Sequence, residues 1–178
     1  MGVYEIIKDR KTTYAFSNKG VDDAIIIKVL DAARLAPAAG SIHEYEFIVV
    51  SDKEMKTAIS RAALTPKIDS APIFVVTVCD PRKISAVFGE EDAGFLCAEN
   101  AAMAIENLFL LCGELGLGTA WIANPDQDQI KDLLGIPKEY IIRGIIPIGY
   151  ASTEQRQYDM SVPQLKEILH VEKFNNKA

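Results

Sequence analysis

Alternating strand and helix patterns predict an α/β-like domain with a mostly covered sheet. Three runs carry the strands: Phe47–Val50, Ile73–Val78 and Ile141–Ile148 are short, apolar and rich in β-branched residues, and the segments between them are spaced as helices. The other decisive stretch is Ala98–Asp126, AENAAMAIENLFLLCGELGLGTAWIANPD. Its first half puts apolar or small residues on almost every side of a helix, expected over Glu99–Leu115. Polar residues are left to one narrow stripe, Asn100, Asn107 and Glu114 with Glu99 and Glu106 beside them. A helix of that kind needs cover all round, so it is expected in the core, in a subunit interface, or in both.

Taken in order, Val3, Ile6 and Ile7 have helical spacing and predict a first helix over Tyr4–Asp9. Arg10-Lys11-Thr12-Thr13-Tyr14 follows, two cations and two hydroxyls just beyond a helix, a compact anion site in which Arg10 can grip a phosphate bidentately. Asp22 or Asp23 caps a second helix whose apolar face is Ile26, Val29, Leu30 and Ala33, and Pro37 stops it. The small, irregular run Pro37–Tyr45 suits close approach of a flat ligand to the backbone. Glu54–Ala63 is amphipathic and helical, and Asp80–Asp92 is expected to be a mobile loop. Gly116 ends the central helix, Gly118 adds a second permissive point, and Thr119–Ala123 reads as a short buried strand. Gln127–Leu134 forms a helix capped by Gly135, Pro147 interrupts the last strand, and Leu165–Leu169 is helical.

Composition narrows the function. The 178 residues, 49% hydrophobic and 25% charged, suit a single domain over 1–178, with no linker or repeat to divide it. A net charge of −6 argues against nucleic acid as a partner. No leader pattern and no apolar run of membrane-spanning length are seen, so a cytoplasmic protein without a membrane partner is expected. Cys79, Cys97 and Cys112 are odd in number and far apart, which speaks against a disulfide framework or a zinc site. Gly116-Leu117-Gly118 is a G-x-G, but it closes a helix and opens a strand, the reverse of a dinucleotide fingerprint. No G-x-S-x-G, phosphate-loop or H-E-x-x-H pattern occurs, and His43 is expected to serve its loop or the core.

In order along nearly the whole chain, these stretches resemble the nitroreductase family of flavoproteins. Arg10-Lys11-Thr12-Thr13-Tyr14-Ala15-Phe16 is similar to the family's R-R-S-x-R-x-F segment, and Ala36–Phe47, APAAGSIHEYEF, to A-P-S-A-G-N-x-Q-P-W-x-F. Gly116–Ile122 matches G-L-G-T-x-W-I, and Leu133–Pro137 with Pro147–Tyr150 completes the set. The resemblance implies an α+β fold, a nitroreductase-like three-layer α/β/α sandwich with a mixed sheet and a long central helix, forming an intertwined homodimer.

It also implies FMN as cofactor, NADH or NADPH as cosubstrate, and a small-molecule electron acceptor such as a nitroaromatic or quinone. Under it, Arg10, Lys11 and Thr12 meet the phosphate and ribityl chain, and Tyr14 stands where the family has a basic residue near the pyrimidine ring. Pro37, Ala38, Ala39 and Ser41 come from the other subunit, Ala123 and Asn124 face the flavin N5 and O4 edge through their backbone, and Lys67 is a further candidate at the pyrimidine edge. No side chain is required for acid–base chemistry, because the flavin carries the hydride. The family's basic pair before its last helix is absent from Tyr158–Pro163, which leaves Arg156 as the remaining cation there. A flavin storage or sensor protein, and a specialised relative of dehalogenase or flavin-fragmenting type, are the alternative readings.

Overall fold

The computed structural model describes residues 2–123, 125–153 and 162–176. Helix α1 (Val3–Asp9) is followed by α2 (Asp23–Arg34), capped by Asp22, whose side chain accepts from the Ala24 N–H at 2.8 Å. Strand β1 (Tyr45–Val50), helix α3 (Lys53–Ala62) and strand β2 (Ile73–Cys79) come next, then α4 (Pro81–Phe88), α5 (Glu90–Glu114), β3 (Gly118–Thr119), α6 (Gln127–Leu134), β4 (Ile141–Gly149) and the short α7 (Leu165–Ile168).

Among the described residues the sheet order is β1-β2-β4-β3 and every pair is antiparallel; the parallel part of the expected mixed sheet is there the single bridge Thr12↔Thr119. Both faces are covered. Ile73, Val75 and Cys79 of β2 join Ile146 and Ile148 of β4 in one core with α2 and α5, while Phe74, Val76 and Val78 face a second core with α3 and α6. That alternation is the period of a strand, and the result is the three-layer sandwich.

Between Thr77↔Gly144 and Val78↔Ile142 the register slips, leaving Arg143 as a bulge. Pro147 does not interrupt β4, which runs through it. Its effect falls on the neighbour. Ile145 bonds Ile122 on the β3 side, so the missing N–H of Pro147 lies on that side too, and β3–β4 pairing ends at Thr119↔Ile148. The strand expected over Thr119–Ala123 is therefore cut to β3 and an isolated bridge at Ile122.

The largest departure from expectation is at Asp80–Asp92, which is helical rather than a loop. Asp80 caps α4, its carboxylate accepting from the Arg82 N–H at 3.1 Å, Pro81 takes the first helical position, and Ile84 is fully buried. Gly89, at φ 89°, separates α4 from α5 without unwinding either. The central helix is consequently 25 residues long, nine more at its start than expected. At that length it is apolar enough to cross a bilayer, a possibility hidden while Asp80–Asp92 read as loop. Its buried face, Cys97, Ala101, Ala104, Leu108 and Cys112, packs instead on α2 and the sheet.

Candidate functional site

Arg10, at the C-terminal end of α1, leads into an extended segment that docks on the sheet edge. The Thr13 N–H donates to the Thr119 carbonyl at 2.8 Å, and Ser17 N–H to the Tyr150 carbonyl at 2.8 Å. Gly118 permits this contact: a Cβ there would overlap the Thr13 side chain. The second glycine of G-L-G-T is thus needed for close approach, and the order helix, glycines, strand excludes a dinucleotide fingerprint.

Two cavities open along this seam. One, about 200 Å³, is lined by Arg10, Lys11, Thr13, Gly113 and Gly116–Thr119. The other, about 230 Å³, is lined by Arg10, Thr12, Tyr14, Glu106, Phe109 and Thr119–Trp121. Arg10, Phe109 and Thr119 belong to both. Among the described residues neither Arg10 nor Lys11 makes an ion pair, although Asp9 lies at the first cavity and Glu106 at the second. Two unpaired cations, threonine hydroxyls and a glycine-rich turn fit the phosphate end of a nucleotide-like cofactor. Each cavity is smaller than the roughly 300–1000 Å³ of a complete ligand pocket. One chain supplies only part of a site.

Residues missed by sequence reasoning complete the walls. Trp121 is 41% exposed and its indole N–H donates to the Arg143 carbonyl at 3.0 Å. Gly144 leaves the space it occupies, since a Cβ there would meet the indole ring. The bulge thus anchors the ring that walls the second cavity. Phe109 is a buried core residue of α5, Glu106 is exposed on the same helix, and Thr119 sits in β3. The G-L-G-T-x-W-I match pointed at this strand, but only for its backbone.

The remaining expected residues fall elsewhere. Ala38, Ala39 and Ser41 lie in or beside the 3-10 turn Ala39–Ser41, with Pro37 just before it, at the end of α2; none of the four lines either cavity. Asn100 of α5 holds this turn: its Oδ1 accepts from the Ala39 N–H at 2.8 Å, and its Nδ2 donates to Glu44 Oε2 at 2.9 Å. Asn100 is six residues from Glu106 and nine from Phe109 on one helix, about 9 and 14 Å along its axis. Within one chain the turn lines neither cavity. Asn107 Nδ2 likewise donates to the Ala32 carbonyl at 3.2 Å, so these members of the polar stripe bind α2 and its loop rather than solvent.

His43 Nδ1 lies 3.0 Å from the Tyr45 hydroxyl, a local contact. Lys67 is exposed in the turn Pro66–Ser70, which meets the N-terminal segment through the Phe16 N–H donating to Ser70 Oγ at 3.2 Å, and it lines neither cavity. Ala123 is exposed next to the Ile122 bridge. Asn124 and Arg156 lie outside the described residues.

Comparison with known proteins agrees with this geometry. A family model described as the nitroreductase family matches residues 7–72 and 65–150. A Methanothermobacter thermautotrophicus protein provisionally named NADH dehydrogenase/NAD(P)H nitroreductase is 30% identical over 179 residues, covering 98% of this chain and 88% of its own length. Among solved structures, the FMN-dependent nitroreductase of Clostridium difficile R20291 superposes with a TM-score of 0.80 at 28% identity, over 95% of this chain and 98% of that one. The hypothetical oxidoreductase YcnD of Bacillus subtilis shares the fold, with a TM-score of 0.87 at 22% identity over 99% of this chain and 76% of that one. The matched segments contain the N-terminal cations, the central helix and the strand that meets them, and this chain belongs to the nitroreductase family.

Proposed function

We propose that the chain is an FMN-dependent oxidoreductase, taking a hydride from NADH or NADPH and passing it to a small acceptor such as a nitroaromatic or quinone, and that it works as a homodimer. The observation that carries this reading is the unpaired Arg10 and Lys11 beside the G-L-G-T-A-W-I seam, in a chain whose relatives are named FMN-dependent nitroreductase and NAD(P)H nitroreductase. FMN, when bound, supplies the hydride chemistry. The protein's tasks are to hold and orient it.

Arg10 and Lys11 neutralise the phosphate, and the Thr12 and Thr13 segment holds the polar chain at the sheet edge. Trp121, fixed by its bond to the Arg143 carbonyl, supports one wall, and Ala123, an exposed residue next to the Ile122 bridge, offers its backbone at the edge of the same seam. Pro37, Ala38, Ala39 and Ser41 serve the partner's site. That assignment is supported by the distance along α5 and by the incompleteness of the cavities in one chain. Exposed apolar residues supply a dimer surface: Tyr4 and Ile7 on α1, and Leu165, Ile168 and Phe174 in the C-terminal segment. The cytoplasm, where reduced nicotinamide is available and buried thiols such as Cys112 stay reduced, is the proposed setting.

The deciding experiment adds FMN to the folded protein and follows fluorescence quenching, then adds NADH without oxygen, then a quinone. Saturable uptake, bleaching by NADH and recovery with the quinone are expected. Uptake without bleaching would replace this reading with the storage or sensor one, and no uptake at micromolar protein would remove the cofactor assignment.

A further inference from the structure

The most unusual chemistry outside the cavities is in the core between α5 and β2. Glu44 is fully buried, and its Oε1 has no hydrogen-bond partner. Beside it are Cys79, the last residue of β2, and Cys97 on α5, both fully buried. The carboxylate oxygen and the two Sγ atoms all lie within 4.8 Å of one another. We propose that Glu44, Cys79 and Cys97 form a metal site for Zn²⁺.

The donor set selects the ion. Mg²⁺ and Ca²⁺ require six or more oxygens, which two sulfurs exclude. A copper(I) site would be all-sulfur and would not use the carboxylate, whereas Zn²⁺ binds both thiolate and carboxylate. With Zn–S bonds of about 2.3 Å, neighbouring ligands of a tetrahedron stand about 3.8 Å apart, so the three atoms need only a small contraction. Three protein donors leave the fourth position to a water.

The surroundings fit that ion. Asn100 Nδ2 holds Glu44 Oε2 at 2.9 Å and leaves Oε1 without a partner, the outer-shell role that orients metal-binding carboxylates. Two thiolates and one carboxylate around Zn²⁺ carry one net negative charge. Arg143 balances it: the bulge turns this side chain towards α5, where it donates to the Gly94 carbonyl at 2.7 Å, and its buried Nε has no partner. Cys79 Sγ donates to the Cys97 backbone carbonyl at 3.6 Å, which holds β2 and α5 together at the site. Binding exchanges the two thiol protons, released to solvent, for the metal. Cys97 and Glu106, the nearest α5 residue at a cavity, are nine residues apart, about 14 Å along α5, so this site is separate from the cavities.

The test uses the full-length protein loaded with FMN and kept reduced. Expected results are one zinc per chain after dialysis, loss on chelation, and, on refilling with Co²⁺, the visible bands of tetrahedral cobalt on the long-wavelength side of flavin absorption. Cys97→Ser should lower Zn²⁺ affinity at least about a hundredfold while FMN affinity stays within about twofold; if that variant fails to fold, the wild-type cobalt spectrum decides alone. Folded wild-type protein with neither stoichiometric zinc nor cobalt bands overturns the proposal. So do cobalt bands that persist in Cys97→Ser, and so does a Cys79–Cys97 disulfide found by mass spectrometry in the isolated protein.

Discussion

Arg10 is the residue on which cofactor retention is expected to turn. It borders both cavities, and the family's second basic cluster is missing from Tyr158–Pro163 in the sequence. Removing one charge-assisted bond costs roughly 1.5–3 kcal/mol, or about ten- to a hundredfold in affinity. Arg10→Ala should therefore weaken FMN by that factor and riboflavin much less, because only FMN has the phosphate; equal losses would show that Arg10 shapes the fold instead. The wild-type protein is expected to be purified partly empty. Trp121 is the other residue with a separable role. Trp121→Phe keeps an aromatic wall but leaves the Arg143 carbonyl without its donor, at a cost of about 1–3 kcal/mol if no water replaces it. Denaturant melts should show the loss, and an unchanged midpoint would mean that the bond contributes nothing net.

At the scale of elements, Asp80 and Arg82 start the helix that sequence reading took for a loop. Arg82 Nε donates to Asp80 Oδ1 at 2.7 Å and its NH2 to Oδ2 at 2.9 Å, and this pair holds the Asp80 carboxyl below its ordinary pKa. A lowered carboxylate pKa stabilises the fold above the unfolded value, near 3.9, and that stabilisation is lost as pH falls below it towards the folded pKa. Asp80→Asn keeps a good helix cap and removes the charge. Thermal melts of the variant should match wild type more closely as pH falls below about 4 and fall short of it near neutrality; a gap independent of pH would assign the effect to capping alone.

Asn100 acts on an element too. Asn100→Ala frees the Ala39 N–H and one Glu44 oxygen, both inside the protein. The turn Ala39–Ser41 should loosen, seen as faster amide exchange at Ala39, with weaker FMN retention if that turn serves the partner's site. Amide exchange unchanged from wild type would refute the link.

For the whole molecule the central expectation is that dimer and cofactor site stand or fall together. An apolar-all-round helix suggested an interface, but within one chain Leu108 is already fully buried and the exposed α5 positions are mostly acidic. A charge at Leu108 would therefore break the core before it tested assembly. Ile7→Asp with Phe174→Asp, both at exposed positions, is the cleaner pair. Sedimentation should show a monomer of native helicity that no longer retains FMN. A folded monomer with full flavin content would contradict both the dimer and the shared site.

Periodicity alone determined the three long strands, α2, α3 and α6, because each buries one regular face against a neighbour and the pattern survives in the sequence. The helix Pro81–Phe88 was not recognised although Asp80-Pro81 is a start signal, because the segment is short and buries only Ile84, with Val87 and Phe88 left exposed. The order of short motifs determined the family and the location of the cationic seam. Contacts between distant segments were decided only in the tertiary structure: the Thr13 side chain against Gly118, Trp121 in the space left by Gly144, and Asn100 holding a turn 61 positions away. The Glu44, Cys79 and Cys97 cluster belongs to this second kind. Its members are far apart in the chain, and the slip that makes Arg143 a bulge, turning its side chain towards α5, is a property of how β4 pairs with β2 rather than of either strand's sequence.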